Sequence, residues 1–454
     1  MTPGPSAAPV TATSSPPPAA TTAPTSAPTP VATNPPAPVN GALYVSTSGS
    51  DGNPGTATRP LRTIGKAAAI APAGTTVVIR GGTYAGFDVT RSGITFTSYS
   101  GETAVVTDAT RDDVIQFTGV TSGAVKGLVV QGSTVAYGSG IKIKESSGVT
   151  VSASTVRDNR TFGIVIVSSS NVTITGNSIS GNADGIEERY AGNGVVISNN
   201  RIFGNTKMVD SGRGKEGINF YKSTGSVTVV GNLLYDNGTH FEVYGASNLN
   251  ITGNVTWNGQ IMETGTDGLP CANNRFTRNI GYKGAGFQGE LTSGMILRCA
   301  ANMLVANNTL DGFDKFAFDI VDGTKGVAYG GSIEGLRIYN NIAVGGRAYS
   351  IDSLLPKSVK IDYNLVYNVG FKAQYGEYLA YWKYLDKQYD KDTWTDFQSD
   401  TGYDTHGLVG DPKFVNRSGR DYRLTSGSPA IDAGKVVLSG GYSGSAPDIG
   451  RFER

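Results

Sequence analysis

Cysteine and histidine are almost absent from this chain of 454 residues, at two each. Cys271, Cys299, His240 and His406 show no recognisable ligand spacing, which argues against a metal site built on them. An excess of either charge is also missing, since 38 Lys and Arg stand against 37 Asp and Glu. That balance gives no support to a nucleic-acid or membrane-surface partner. No apolar run approaches the roughly 20 residues needed to span a bilayer. The N-terminus has no basic-then-apolar leader, so if the native protein is exported its signal has been removed or lies upstream. No leucine framework recurs, which excludes a leucine-rich repeat.

What does recur is a strand followed by an asparagine. VTITGN, VVISNN, VTVVGN, LNITGN, NRFTRN, MLVANN, LRIYNN and VKIDYN end at Asn177, Asn200, Asn232, Asn254, Asn279, Asn308, Asn341 and Asn364, at intervals of 23, 32, 22, 25, 29, 33 and 23 residues. A period of 22 or 23 is the unit, and longer intervals are that unit plus an insertion. β-Branched and polar residues alternate within each phrase, the pattern of a half-buried strand. Strands at this period predict an all-β solenoid, a single-stranded right-handed parallel β-helix with coils about 4.8 Å apart. The asparagines then form an internal ladder, each amide bonding the one above and below. Cys271 and Cys299 fall at nearly the same place in consecutive coils and are expected to be neighbours; a disulfide and a pair of buried thiols both remain open.

Residues 1–40 are almost all Pro, Ala, Thr, Ser and Val, too polar and too Pro-rich to fold. The segment resembles the linkers of secreted polysaccharide-degrading enzymes, which implies a tethered carbohydrate-binding module upstream. Residues 41–454 are expected to form one β-helix domain, with coils over about 75–369. The stretch LYVSTSGSDGNPGTATRPLRTIGKAAAIAPAGTTVVIRGGTYAG resembles the opening of extracellular pectin-lyase-like β-helix proteins. The resemblance implies an opening strand at 43–46, a capping helix after Pro60 and coils from about Thr76. From about Gly376 the pattern breaks into an aromatic, charged insertion, expected to hold a helix or extended loop. The closing segment to 454 has Asp411, Asp421, Asp432 and Asp448 as turn-formers.

A second strand lies about ten residues after each asparagine, in the phrases GIKIKE, GIVIV, DGIEERY, EGINFY, HFEVYG, IMETGTD and FQGEL. Aligning Ile141, Ile164, Ile186, Ile218, Phe241, Met262 and Phe287 as inward residues puts Lys142, Val165, Glu187, Asn219, Glu242, Glu263 and Gln288 in one outward column. A parallel column reads Lys144, Val167, Arg189, Tyr221, Tyr244, Gly265 and Gly289, with Glu290 close by. Asp184 and Glu216 are neighbours at the strand entrance. Stacked carboxylates repel and cost stability unless a proton, cation or substrate compensates. Glycosidic hydrolysis needs such a pair, one acid and one base or nucleophile. Adjacent coils separate carboxyls by roughly 5 Å and alternate coils by roughly 9 to 10 Å. The catalytic candidates are therefore Glu187, Glu242, Glu263, Asp184 and Glu216. Tyr221 and Tyr244 offer stacking faces, Asn219 lies in the same column, and Arg189, Lys222 and Arg298 can orient a substrate.

The coil region resembles the pectin-lyase-like superfamily of polysaccharide lyases and hydrolases. The strand DGIEE is similar to the Asn-Thr-Asp-Gly-Ile strand of polygalacturonases at Ala183-Asp184-Gly185-Ile186, but the paired Asp, Gly-His-Gly and Arg-Ile-Lys of that family are missing. The expectation is a secreted, extracellular and bacterial monomer that hydrolyses a polysaccharide without a cofactor. One alternative is a Ca2+-assisted lyase, with the carboxylate column as the calcium site and Lys142, Lys144, Lys215 or Lys222 as base. The other is a non-catalytic glycan-binding β-helix.

Overall fold

The computed structural model describes residues 41–208, 214–283, 293–313, 315–368 and 378–454. The expected linker at 1–40 lies outside them. Among the described residues the chain winds into three sheets of 13 strands each: twelve coils contribute one strand to each sheet, and the thirteenth strands are the end pieces Leu43–Val45, Leu408–Val409 and Lys387–Tyr389. Sheet A runs from Leu43–Val45 to Lys360–Asp362, sheet B from Gly82–Tyr84 to Leu408–Val409, and sheet C from Phe87–Val89 to Lys387–Tyr389. Neighbouring strands pair in parallel until the last of sheet C, where Lys387–Tyr389 turns back antiparallel on Ala380–Trp382. Two expected boundaries change. Leu43–Val45 is already the first strand of sheet A, paired with Thr76–Ile79, and coiling continues past residue 369, with Leu408–Val409 pairing Leu365–Tyr367. The aromatic insertion thus contributes strands as well as the helix α2, Trp394–Thr401.

Inside, one side chain per coil repeats along sheet C as Ile141, Ile164, Ile186, Ile218, Phe241 and Met262, all fully buried. They belong to one continuous apolar core running the length of the helix. Helix α1, Ile64–Ile70, packs Ile64, Ala67 and Ala68 into that core beside the first coil, and its N-cap Thr63 accepts a hydrogen bond from the Lys66 N–H at 3.1 Å.

The asparagines form the expected ladder at the turn from sheet A to sheet B. The Nδ2 of Asn200 donates to Asn232 Oδ1 at 3.0 Å and to the Ile174 carbonyl of the coil on its other side at 2.9 Å, while its backbone N–H shares the same Oδ1. The residue before each rung takes a left-handed backbone, as at Gly176, Asn199, Gly231 and Asn307. Glycine and asparagine tolerate that conformation best, which explains the recurring Gly-Asn and Asn-Asn doublets. The ladder ends on Asp404, whose Oδ1 accepts from Asn364 N and Nδ2 at 3.0 and 3.1 Å. A second ladder, Asn159, Asn182, Asn205 and Asn237, marks the turn from sheet B to sheet C. Its sequence signal is an asparagine five residues after a rung of the first, at Asn177, Asn200 and Asn232.

Cys271 and Cys299 are disulfide-bonded, with Cα atoms 5.4 Å apart. Asp411 and Asp421 accept the N–H two residues on, at Lys413 and Arg423, as turn-formers do, whereas Asp432 and Asp448 accept from Ser445 and Asp432 and so tie together stretches distant in sequence.

Candidate active site

Sheet C carries the charge. Its strands Asp184–Arg189, Glu216–Tyr221, Thr239–Tyr244 and Gln260–Gly265 are in register so that Glu187, Asn219, Glu242 and Glu263 follow one another, as do Arg189, Tyr221, Tyr244 and Gly265 beside them. The register departs from expectation at the next coil. Met295–Leu297 pairs with Gln260–Gly265, so Ile296 follows Glu263. Met295–Leu297 thus takes the rung expected of residues 287–289, and Phe287, Gln288, Gly289 and Glu290 lie outside the described residues. So do 209–213 of the insertion after Asn205.

A cleft of about 560 Å³ opens over these coils. Glu216, Glu242 and Glu263 line it together with Asn219, Tyr221, Tyr244 and Arg298. Asp184 and Glu187 do not line it. Expected as an exposed rung, Glu187 is fully buried, because Arg189 two residues on folds back to pair with it. The Arg189 guanidinium lies 5.3 Å from the Phe162 ring centroid and 5.8 Å from that of Tyr221, which holds it over the carboxylate.

Asp184 is buried behind Glu216 and accepts the Glu216 N–H at 3.4 Å, and the two side chains are hydrogen-bonded to each other. Two carboxyls bond to each other only by sharing a proton. Burial pushes Asp184 up to about 6, despite the Glu216 hydrogen bond, with the charges of Glu187 and Glu242 adding to the rise. Glu263 is engaged at both oxygens, by Arg298 Nη2 at 2.5 Å and by Gln260 Nε2 at 3.1 Å. The rings of Tyr221 and Tyr244 stack with centroids 5.8 Å apart and planes 5° from parallel. Burial lifts the Tyr244 hydroxyl to about 12, so it stays a neutral donor.

Sequence reasoning missed three residues. Asp267 lines the cleft rim and holds Lys222 at 2.9 Å. Tyr329 brings a ring 5.5 Å from that of Tyr244 and is 61% exposed. Its signal was the 33-residue interval from Asn308 to Asn341, an insertion that had no role assigned. Glu188 points into the helix interior in register with Ile166 and Phe220. Its Oε1 accepts the Ala191 N–H at 2.7 Å, and burial raises its pKa to about 7. It braces the turn after Arg189, and a carboxyl at an inward-facing position was the signal.

The lysines considered as bases are not gathered at the cleft. Lys142 binds Asp113 at 3.0 Å, Lys144 binds Glu145 at 3.4 Å, Lys222 binds Asp267, and Lys215 is not among the lining residues. Among the described residues no three His, Cys, Asp or Glu side chains converge as a metal shell. Glu187 and Glu263 are turned toward arginines instead, so the column does not fit a calcium site and no step is assigned to that ion. Another hollow, of about 470 Å³, lies near Trp382 and Tyr403. Its carboxylates are tied up structurally, Asp362 by His406 and Asp400 by Lys387 and Tyr389.

The family model described as "Right handed beta helix region" matches residues 87–276. The chain is similar to the crystal structure of pectate lyase Pel9A, at 18% identity and a TM-score of 0.53, over 91% of this chain and 96% of that one. It is also similar to the catalytic unit of a thermostable GH87 α-1,3-glucanase from Streptomyces thermodiastaticus strain HF3-3. There the identity is 12% and the TM-score 0.52, over 83% of this chain and 70% of that one. In sequence, 138 residues are 36% identical to the uncharacterized protein YwoF of Bacillus subtilis (strain 168); the match covers 27% of this chain and 29% of that relative's length. The fold is thus a right-handed parallel β-helix, as in these two structures. No helix among the described residues is long and apolar enough to cross a membrane.

Proposed function

We propose that the protein is an extracellular enzyme that hydrolyses glycosidic bonds in a polysaccharide, using the carboxyl groups of the sheet C cleft. The observation that carries this reading is the convergence of Glu216, Glu242 and Glu263, from three successive coils, on one cleft walled by stacked tyrosines. Such a pair of carboxyls, one protonated and one ionised, is the machinery of glycoside hydrolysis. Glu216, which shares the proton of the buried Asp184, donates it to the departing glycosidic oxygen as the C–O bond breaks. Glu242 takes a proton from the water that adds to the anomeric carbon. Glu263, held by Arg298 and Gln260, positions the sugar.

The register sets the geometry. Glu216 pairs with Thr239, three residues before Glu242. At about 3.3 Å per residue and 4.8 Å between strands, their Cα atoms are roughly 11 Å apart, against about 4.8 Å for directly paired rungs, and we read them as the wider, inverting kind of pair. Similarity of fold to a pectate lyase and to an α-1,3-glucanase is compatible with the reading but does not choose the chemistry.

The test is a panel of polysaccharides followed simultaneously for reducing ends and for ultraviolet absorbance, with and without chelator. Reducing ends without absorbance, insensitive to chelator, are expected. Absorbance from an unsaturated uronide would overturn hydrolysis, and neither signal across the panel would leave a binding protein. Proton NMR of the first-formed product anomer then checks inversion.

A further inference from the structure

Three bases in and beside the cleft are paired with the protein's own carboxylates. Arg189 is paired with Glu187, Lys222 with Asp267 at 2.9 Å, and Arg298 with Glu263 at 2.5 Å. Among the described residues lining the cleft, Arg298 is the one base, against the carboxyls of Glu216, Glu242, Glu263 and Asp267. A polyuronate carries one carboxylate per sugar and is bound by cations free to pair with it. Here it would have to displace the protein's own carboxylates from each base and approach a wall of like charge. What the cleft offers instead is hydroxyl and ring chemistry. Asn219 supplies an amide, the Tyr244 hydroxyl stays protonated, and Tyr221, Tyr244 and the exposed Tyr329 supply aromatic surface. Tyr329 is held in a left-handed backbone at φ 56°, its carbonyl accepting the Thr266 N–H at 2.8 Å.

From these pairings we infer that the substrate is an uncharged polysaccharide, bound by stacking and hydroxyl hydrogen bonds, and not a polyuronate. The inference rests on the cleft being the site proposed above and adds the class of chain it accepts. Binding therefore depends little on salt, because no ion pair forms with the ligand.

The test uses the full chain as the Glu242→Gln variant, which binds without turnover, with Glu216→Gln as a second inactive form should the first fold poorly. Each is run in affinity electrophoresis against xylan, mixed-linkage β-glucan, galactomannan and α-1,3-glucan, against polygalacturonate and alginate with calcium or chelator, and against chitosan. Retardation by at least one neutral polymer is expected, unchanged between low and high salt and weakened about tenfold or more by Tyr329→Ala. In the same assay Asp267→Asn, which releases Lys222, should introduce weak, salt-sensitive retention of polyuronate that the parent lacks. Retention of a polyuronate by the parent, retention of chitosan above every neutral polymer, or retention of nothing would each overturn the inference.

The two proposals fail separately. A polyuronate that is bound and yields reducing ends without absorbance removes the substrate class and leaves hydrolysis standing. A neutral polymer that is bound but left uncut by the wild-type protein removes hydrolysis and leaves the substrate class.

Discussion

The asparagine ladder and the carboxylate column are both stacks of one side chain per coil, on the same helix and at the same spacing, yet they behave as opposites. An amide is donor and acceptor at once, so identical rungs satisfy each other. Asn200 donates to Asn232, and Asn232 donates to Asn254 with the same geometry. A carboxylate only accepts when ionised, so identical rungs repel. The column is accordingly broken up: Asn219 separates Glu187 from Glu242, Arg189 and Arg298 pair with its outer members, and Asp184 shares a proton with Glu216. A self-complementary stack holds the fold together, whereas a self-repelling one has to be stabilised by other groups.

The widest separation between the two stacks is expected from Glu242→Gln and Glu216→Gln. Each should lower kcat/KM by about a thousandfold, the scale of a lost acid or base, with Tm unchanged or slightly raised because a repulsion is removed. A fall in both would place these residues with the ladder. Asn232→Ala should do the reverse. It leaves the Asn200 N–H without its acceptor and the Asn200 Nδ2 with only the Ile174 carbonyl, at a cost of about 3 kcal/mol. Chemical denaturation should show that loss, while the specific activity of the folded fraction holds.

pH probes the same contrast more gently. Burial raises Asp184 from 3.8 to about 6, so it gains its charge beside Glu216 as pH rises through that range. The kcat/KM profile should change slope near pH 6, where Asp184 changes charge, and Asp184→Asn should remove that change. Asp404 at the ladder's end is raised to about 7 by burial, which outweighs its hydrogen bonds from Asn364 and Tyr349. The stability its proton contributes is complete below about 3.8 and is lost as pH rises through about 7. The smallest effect expected is therefore a drop in Tm between pH 5 and pH 8 that Asp404→Asn, which cannot ionise, narrows without touching activity.

Much of this was legible in the sequence because stacking turns position into period. The Asn177 to Asn364 phrases located the ladder, and counting on from them brought Glu242 and Glu263 into one column. The method failed where the period was interrupted. The phrase FQGEL suggests Phe287 as the partner of Met262, but Met295 is the residue that pairs with it. Tyr329 and Asp267 stand on connections between strands, where no period applies.

By itself the sequence determined the parallel coils, the ladder and the face that carries charge, because each follows from short-range alternation repeated at a fixed interval. Only the tertiary structure decided which charges are usable. Glu187 and Glu242 occupy equivalent rungs, yet Glu187 lies under Arg189 while Glu242 opens onto the cleft. Likewise Cys271 and Cys299 form a bond that spacing left open. Burial and pairing depend on what the neighbouring coils and insertions place over a residue, and that information is not carried by the residue's own period.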